Sequence, residues 1–234
     1  MTSAPGFPAK YRERLRSGYW FQSLSPTLQD LLLSHLHVRQ LSHGQRLFAR
    51  GDLADGLYCV VEGAIKLTGS TRDGKEAILA IIETPSWFGE IAVFDELPRT
   101  HDAWADEATT LLHLPAATLN SLLTQQPMLW HALGVLLSHK IRLAFMALEE
   151  LSLQPPASRL ARRLLIMARG YGELEGSSKR EIRVPQEQLG QMLSLSRQTV
   201  NQLLRQLEDS GVVSLVRGGI EIIDLPQLEK FADL

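Results

Sequence analysis

From Trp87 to Thr100 the sequence reads WFGEIAVFDELPRT. Phe88-Gly89-Glu90-Ile91-Ala92 predicts the start of a short helix, whose first backbone N–H groups lack intrahelical partners and can receive an anion. Arg99 can return to the same place with a full positive charge, and Glu90 can accept a hydrogen bond from a sugar hydroxyl. The chemistry on offer is capture of a phosphate, with a ribose beside it.

A second stretch, QEQLGQMLSLSRQTVNQLLRQLEDSG from Gln186 to Gly211, has the register of a helix-turn-helix. Leu189, Leu193, Leu195, Val200 and Leu203 fall where two steeply crossed helices must bury apolar side chains, and Gly190 where they approach most closely. Ser194 holds the turn position at which glycine is more usual. Ser196 predicts the cap of the second helix, which leaves Arg197, Gln198, Asn201 and Gln202 on its outward face. Such side chains hydrogen-bond base edges in a major groove, and no acidic residue interrupts them until Glu208. Residues 212–215 and 220–223, joined through Arg217-Gly218-Gly219, predict a β-hairpin wing with Arg217 at its tip, in reach of a DNA phosphate.

These sites need scaffolds of different periodicity. Ser25-Pro26 starts a helix that continues through Leu28, Leu31, Leu32 and Leu36. From Leu41 to about Leu114, short apolar or alternating segments at 57–61, 64–67, 77–82 and 110–114 read as strands. Gly44, Gly51-Asp52, Gly56, Gly63 and Asp73-Gly74 turn the chain between them, as a barrel or jelly roll requires. Residues 127–153 predict one long helix with two apolar stripes, Leu133, Leu137, Ile141, Ala144, Leu148 and Leu151 on one side and Leu129, Leu136 and Leu143 on another. One stripe can cover the β domain; the other calls for a partner, and a dimer seam is the expectation. Gln154-Pro155-Pro156 then breaks the helix as a hinge. Beyond it come an amphipathic helix at 158–168 bearing Arg159, Arg162 and Arg163, a surface loop at 170–179, and a brief strand at 182–184.

Composition narrows the function. With 24 Lys and Arg against 26 Asp and Glu, any contact with DNA must come from local placement of a few cations. The single cysteine, Cys59, cannot form an internal disulfide, a zinc knuckle or a four-cysteine iron–sulfur cluster, and as a lone strand cysteine it reads as a small buried apolar residue. The N-terminus lacks a signal-like apolar run, and no membrane span is expected; a reducing cytoplasm fits best. His35-x-His37 and His101-Asp102 read as surface or packing groups rather than metal ligands, so no metal is expected. No nucleophile–base–orienter set stands out, and no catalysis is expected.

Taken together, HGQRLFARGD, LYCVVEGAIKL, FGEIAVFDELPRT, the long helix and SRQTVNQLLRQLE, in this order, resemble the cyclic-AMP receptor protein and FNR (Crp/Fnr) family of bacterial transcription regulators over nearly the whole chain. The resemblance implies an α+β fold. Residues 1–126 would form an N-terminal helix and a double-stranded β-helix, or β-roll, of the cyclic-nucleotide-binding kind; 127–154 a long dimerisation helix; and 155–234 a winged helix-turn-helix domain. It implies phosphate and ribose contacts from Gly89, Glu90 and Arg99, with Ile91 beside them and Thr100 in the neighbouring small polar position. It also implies base contacts from the recognition helix, where this chain carries Gln198 and Gln202 in place of the receptor's glutamate and arginine. Two departures are visible. The chain continues His101-Asp102-Ala103 where cyclic-nucleotide members have alanine and a returning strand, and Ala144 and Phe145 occupy the positions at which the receptor presents hydroxyls to adenine.

The expected protein is a homodimeric, effector-controlled regulator that reads a palindromic site in double-stranded DNA, with RNA polymerase as a partner implied by the resemblance. Candidate effectors are cyclic AMP, another cyclic nucleotide, or a different phosphate or carboxylate; the alternative is a cradle that is simply structural. Two other classes are a cyclic-nucleotide module acting on a protein partner, and a cupin-type metal enzyme, for which the clustered strand histidines are missing.

Overall fold

The alternation of Leu57, Cys59 and Val61 with Tyr58 and Val60 gives one strand two apolar faces, so it must be covered on both sides. The computed structural model, which describes residues 9–71, 76–169 and 180–233, covers it in that way. The chain divides into two units, Met1–Gly69 with Leu79–Ile141, and Ser70–Ile78 with Arg142–Leu234.

The elements run in order as α1 (Ala9–Arg16), α2 (Tyr19–Ser23), α3 (Pro26–Leu33), β1 (His37–Leu41), β2 (Arg46–Phe48), β3 (Gly56–Glu62), β4 (Ala64–Ser70), β5 (Glu76–Glu83), β6 (Ser86–Phe88), α4 (Ile91–Asp95), β7 (Asp102–Ala105), β8 (Thr109–Pro115), α5 (Ala116–Gln125) and α6 (Met128–Leu153). The strands make two four-stranded sheets, ordered β1-β8-β3-β6 and β2-β7-β4-β5. Tyr58, Val60, Phe88 and Leu111 from the first sheet meet Leu47, Ile65, Ala103 and Ala105 from the second. The opposite face of β3, with Trp87 and Leu112, packs on helices through Leu15, Trp20, Phe21, Leu32, Leu129, Leu133 and Leu136. Each such buried leucine or phenylalanine contributes about 1.5–3 kcal/mol.

Helices α1, α2 and α5 are additions to the expected scheme, while α3 starts where expected, with Ser25 Oγ accepting from the Leu28 N–H. Helix α6 ends at Leu153, ahead of the two prolines. One of its stripes needs correcting. Leu133 is buried with Leu129 and Leu136 against the chain's own helices, anchored by the Trp20 indole donating to the Ala132 carbonyl at 2.7 Å. The line Ile141, Ala144, Leu148 and Leu151 is left exposed.

The second unit contains α7 (Pro156–Ala168), β9 (Glu181–Ile182), α8 (Gln186–Leu193), α9 (Arg197–Asp209), β10 (Val213–Val216), β11 (Gly219–Ile222) and α10 (Leu225–Ala232). Its three strands pair antiparallel in the order β10-β11-β9. Helix α7 begins two residues before the expected start, with Pro156 in its first turn, and β9 is shorter than the expected strand. The expected loop at 170–179 and the Asp73-Gly74 turn lie outside the described residues.

Candidate effector cradle and nucleic-acid interface

Arg99 is 5% exposed and is held from every side by the first unit. Its backbone N–H donates to Asp52 O and its carbonyl accepts from Gly51 N–H, both at 2.8 Å. Its guanidinium lies over the rings of Phe48 (4.4 Å) and Tyr58 (5.8 Å), donates from Nη1 to Gly89 O (3.1 Å), and donates from Nη2 to Gly56 O (2.8 Å) and Asp55 Oδ1 (2.9 Å). Its Nε is buried with no hydrogen-bond acceptor among the described residues. Gly89 is required there: at φ 98° a side chain is strained, and an added Cβ would stand 2.9 Å from Arg99 Nη1.

Glu90 is also buried, but it makes no cap hydrogen bond to α4. Its Oε2 instead accepts from Lys140 Nζ at 2.7 Å, and the same ammonium donates to Trp87 O at 2.7 Å. Ile91, expected to help open the helix over the anion, turns its side chain outward and is exposed. Thr100 is exposed, its Oγ1 2.8 Å from His101 Nδ1. So Gly89, Glu90 and Arg99 come together, while Ile91 and Thr100 lie at the margin.

Sequence reasoning missed four residues at this site. Asp55 Oδ2 accepts a short hydrogen bond from the Tyr58 hydroxyl, and that hydroxyl accepts from Arg39 Nη1 at 3.1 Å. Burial alone would raise the Asp55 carboxyl, but hydrogen bonds from Tyr58 and Arg99 outweigh it and hold the group below its ordinary range. Burial, then the Asp55 acceptor, push the Tyr58 phenol well above its usual value. Lys140 had a readable signal: 129, 133, 136, 140 and 143 continue one line at steps of three and four, which puts a cation on the inward line of the helix. Asp55 and Arg39 had no such signal, since their partners are distant in sequence.

In the second unit, the expected small-residue contact is present, because a Cβ on Gly190 would sit 2.7 Å from Leu195 O. Ser194 adopts the left-handed conformation (φ 54°, ψ 41°), the geometry that makes glycine usual at such a turn. Ser196 caps α9, its Oγ accepting from the Thr199 N–H at 3.0 Å. Leu189, Leu193 and Val200 are buried as expected; Leu195 and Leu203 are only partly so, and Leu204 and Leu207 take the inner positions of α9. The expected Leu203 position is thus corrected by one residue, a shift of about 100° around the helix.

Arg197, Gln198 and Gln202 are exposed, whereas Asn201 is half-buried, its Nδ2 donating to Gln186 Oε1 at 3.1 Å. The hairpin wing turns through Arg217 and Gly218 (φ 82°), with Arg217 exposed at the tip. A cleft of about 480 Å³ separates α9 from the wing, lined by Arg197, Asn201, Gln186, Val216 and Gly218. Glu208, the first acidic residue along α9, accepts from the Leu215 N–H at 2.8 Å and so ties the helix to β10.

Known proteins share both halves of this design. The cyclic nucleotide-binding domain family matches residues 38–126, and the Crp-like helix-turn-helix domain family matches residues 158–231. The cyclic AMP receptor protein of Thermus thermophilus is 32% identical over 213 residues, which cover 91% of this chain and 95% of that one. The fold matches the Thermus thermophilus catabolite activator protein at 32% identity with a TM-score of 0.51, over 92% of this chain and 98% of that one. It matches FixK2 of Bradyrhizobium japonicum at 18% identity with a TM-score of 0.75, over 84% and 96%, a likeness of fold alone. Both halves, in this order and along almost the full length of a related regulator, place the chain in the Crp/Fnr family: it is a DNA-binding transcription regulator, not an enzyme, that joins an effector-binding cyclic-nucleotide-type domain to a Crp-like helix-turn-helix.

Proposed function

We propose that this regulator is a homodimer whose Arg99–Glu90 cradle takes an anionic effector, a cyclic nucleotide first among the candidates. The observation that carries the reading is the buried Arg99 guanidinium, whose Nε has no acceptor among the described residues, in the same cradle as the buried Glu90 carboxylate. A phosphate supplies acceptors for such a group. The relationship to a cyclic AMP receptor protein supports cyclic AMP, whereas Ala144 and Phe145, in place of adenine-facing hydroxyls, favour an effector recognised by phosphate and sugar more than by base.

Dimerisation is assigned to the exposed line Ile141, Ala144, Leu148 and Leu151 of α6. By length and apolar content α6 could cross a bilayer, but Lys140 and Arg142 at its centre and its inward leucines suit a seam in water. At 1.5 Å per residue its 26 residues extend about 39 Å, and the two readers of a palindrome sit roughly 34 Å apart. The working division is 1–126 for sensing, 127–154 for dimerisation and 155–234 for DNA. In that last part Arg197, Gln198 and Gln202 read bases, and Ser196, Asn201 and Arg217 complete the contact. RNA polymerase as a partner and the cytoplasm as location follow the family.

Thermal-shift titration with cyclic AMP and other cyclic mono- and dinucleotides tests the cradle. Stabilisation by at least one nucleotide is expected, and its loss in both Glu90→Ala and Arg99→Ala. A shift surviving both substitutions would place the effector elsewhere.

A further inference from the structure

The guanidinium of Arg99 is already paired. Two backbone carbonyls, Gly56 O and Gly89 O, and the ring of Phe48 fix its position, and its backbone is pinned on both sides by Gly51 and Asp52. Asp55 therefore adds little to the placement of Arg99. What it adds is a negative charge on Nη2, beside the acceptor-free Nε of the same guanidinium.

The Asp55 carboxylate is not locked in. Its side chain is 47% exposed, against 4% for Arg99. Its second oxygen points away from Arg99, toward the Tyr58 hydroxyl, and lies 3.7 Å from Arg39 Nη1. Arg39 is itself 39% exposed and already donates to Tyr58. A second cation thus stands ready on the far side of the carboxylate.

We propose that Asp55 is an internal competitor for the effector's anionic group. It neutralises Arg99 while the cradle is empty, and when a phosphate docks on Arg99 it moves to a full ion pair with Arg39. The proposal rests on the reading of Arg99 as the anion-binding residue. Its consequence is a threshold: only an anion strong enough, or concentrated enough, to displace a tethered carboxylate occupies the cradle. Tyr58 is the pivot, since its hydroxyl touches both Asp55 and Arg39.

The test is calorimetric titration of the full chain with two probes, cyclic AMP and inorganic phosphate, at fixed ionic strength. Asp55→Asn should bind at least one probe roughly tenfold more tightly than the parent, as expected when a like charge near a partly exposed site is removed. Arg39→Gln, which removes the cation on the far side of Asp55, should bind the same probe more weakly. Arg99→Ala should abolish binding in either background. Weaker binding by Asp55→Asn would show that Asp55 positions Arg99 instead, and equal binding would show that it does not compete; each outcome overturns the proposal. So would failure of both probes to bind both the parent and Asp55→Asn. If phosphate behaves as expected and cyclic AMP never responds to Arg99→Ala, the cyclic-AMP reading falls and the competitor stands. If cyclic AMP requires Arg99 but ignores Asp55, the reverse holds.

Discussion

The proposed cradle and the proposed DNA-reading face both consist of a few cations and amides, yet they hold them in opposite ways. In the cradle, Arg99 and Glu90 are buried and already engaged by Asp55, Gly56, Gly89 and Lys140. On the proposed reading face, Arg197, Gln198, Gln202 and Arg217 are exposed, while Asn201 is engaged by Gln186 and Ser196 by the Thr199 N–H. On the proposed reading, a ligand entering the cradle exchanges one set of contacts for another, so its affinity is a difference between two well-made arrangements. DNA meets side chains that give up only water and counterions, so its affinity follows salt. The contrast suits a sensor that must resist weak ligands and a reader that must search many sites.

The contrast can be broken most strongly within α9 itself, where the inner and outer sides are adjacent residues. Leu204→Ala removes a fully buried side chain and should cost about 2–5 kcal/mol in denaturant unfolding, whereas Leu203→Ala, on the partly buried neighbour, should cost less than half as much. Equal losses would mean that the helix is rotated from the orientation described.

A smaller effect separates the two kinds of exposed cation. Arg197→Ala should cost about 1–3 kcal/mol on the cognate operator and relax choice at one base pair. Arg217→Ala should weaken all sequences alike and lower the slope of log affinity against log salt by about one. Filter binding over a salt series on matched and mutated operators reads both. A uniform loss for Arg197→Ala would reassign it to the phosphates.

The smallest effect asks whether engaged, buried charge is special to the cradle. Glu150, near the end of α6, is 5% exposed with Arg162 Nε 2.9 Å away. Burial raises its carboxyl pKa and outweighs the pull of Arg162 and Arg163 in the other direction, with Glu149 adding to the rise. A carboxyl whose folded-state pKa is raised contributes stability that is full below its unfolded pKa and is lost as pH rises through the folded value. Unfolding midpoints of the parent, followed from about pH 4 to 7, should therefore fall relative to those of Glu150→Gln. Midpoints that rise relative to those of Glu150→Gln would show that the ion pair, not burial, governs this carboxyl, and parallel curves would show that the two cancel.

The sequence was most legible where local rules and tertiary packing agree. Alternation placed β3, prolines 155 and 156 ended α6, and Ser25 and Ser196 marked the starts of α3 and α9. Helix α1 escaped because AKYRERLR offers only Tyr11 and Leu15 as buried anchors among its charges. Spacing does not separate Leu203 from Leu204 as the inner residue, because it does not fix the angle at which α8 and α9 cross. Within the cradle, Glu90 and Arg99 share one short motif and could be paired on the page. Asp55 lies 44 residues from Arg99, and Lys140 lies 50 residues from Glu90, so only the folded chain brings them together.

The bond between Glu208 and Leu215 reaches further than its length suggests. Because the carboxylate of Glu208 accepts from the amide of Leu215, the hairpin is tethered to the helix proposed to enter the groove. In the proposed homodimer each subunit would then meet its half-operator as a single stamp, with the distance between Arg197 and Arg217 largely set in advance. Operators that differ in their outer flanks would then be sorted by how well the duplex bends to that fixed footprint, and not by any adjustment of the protein.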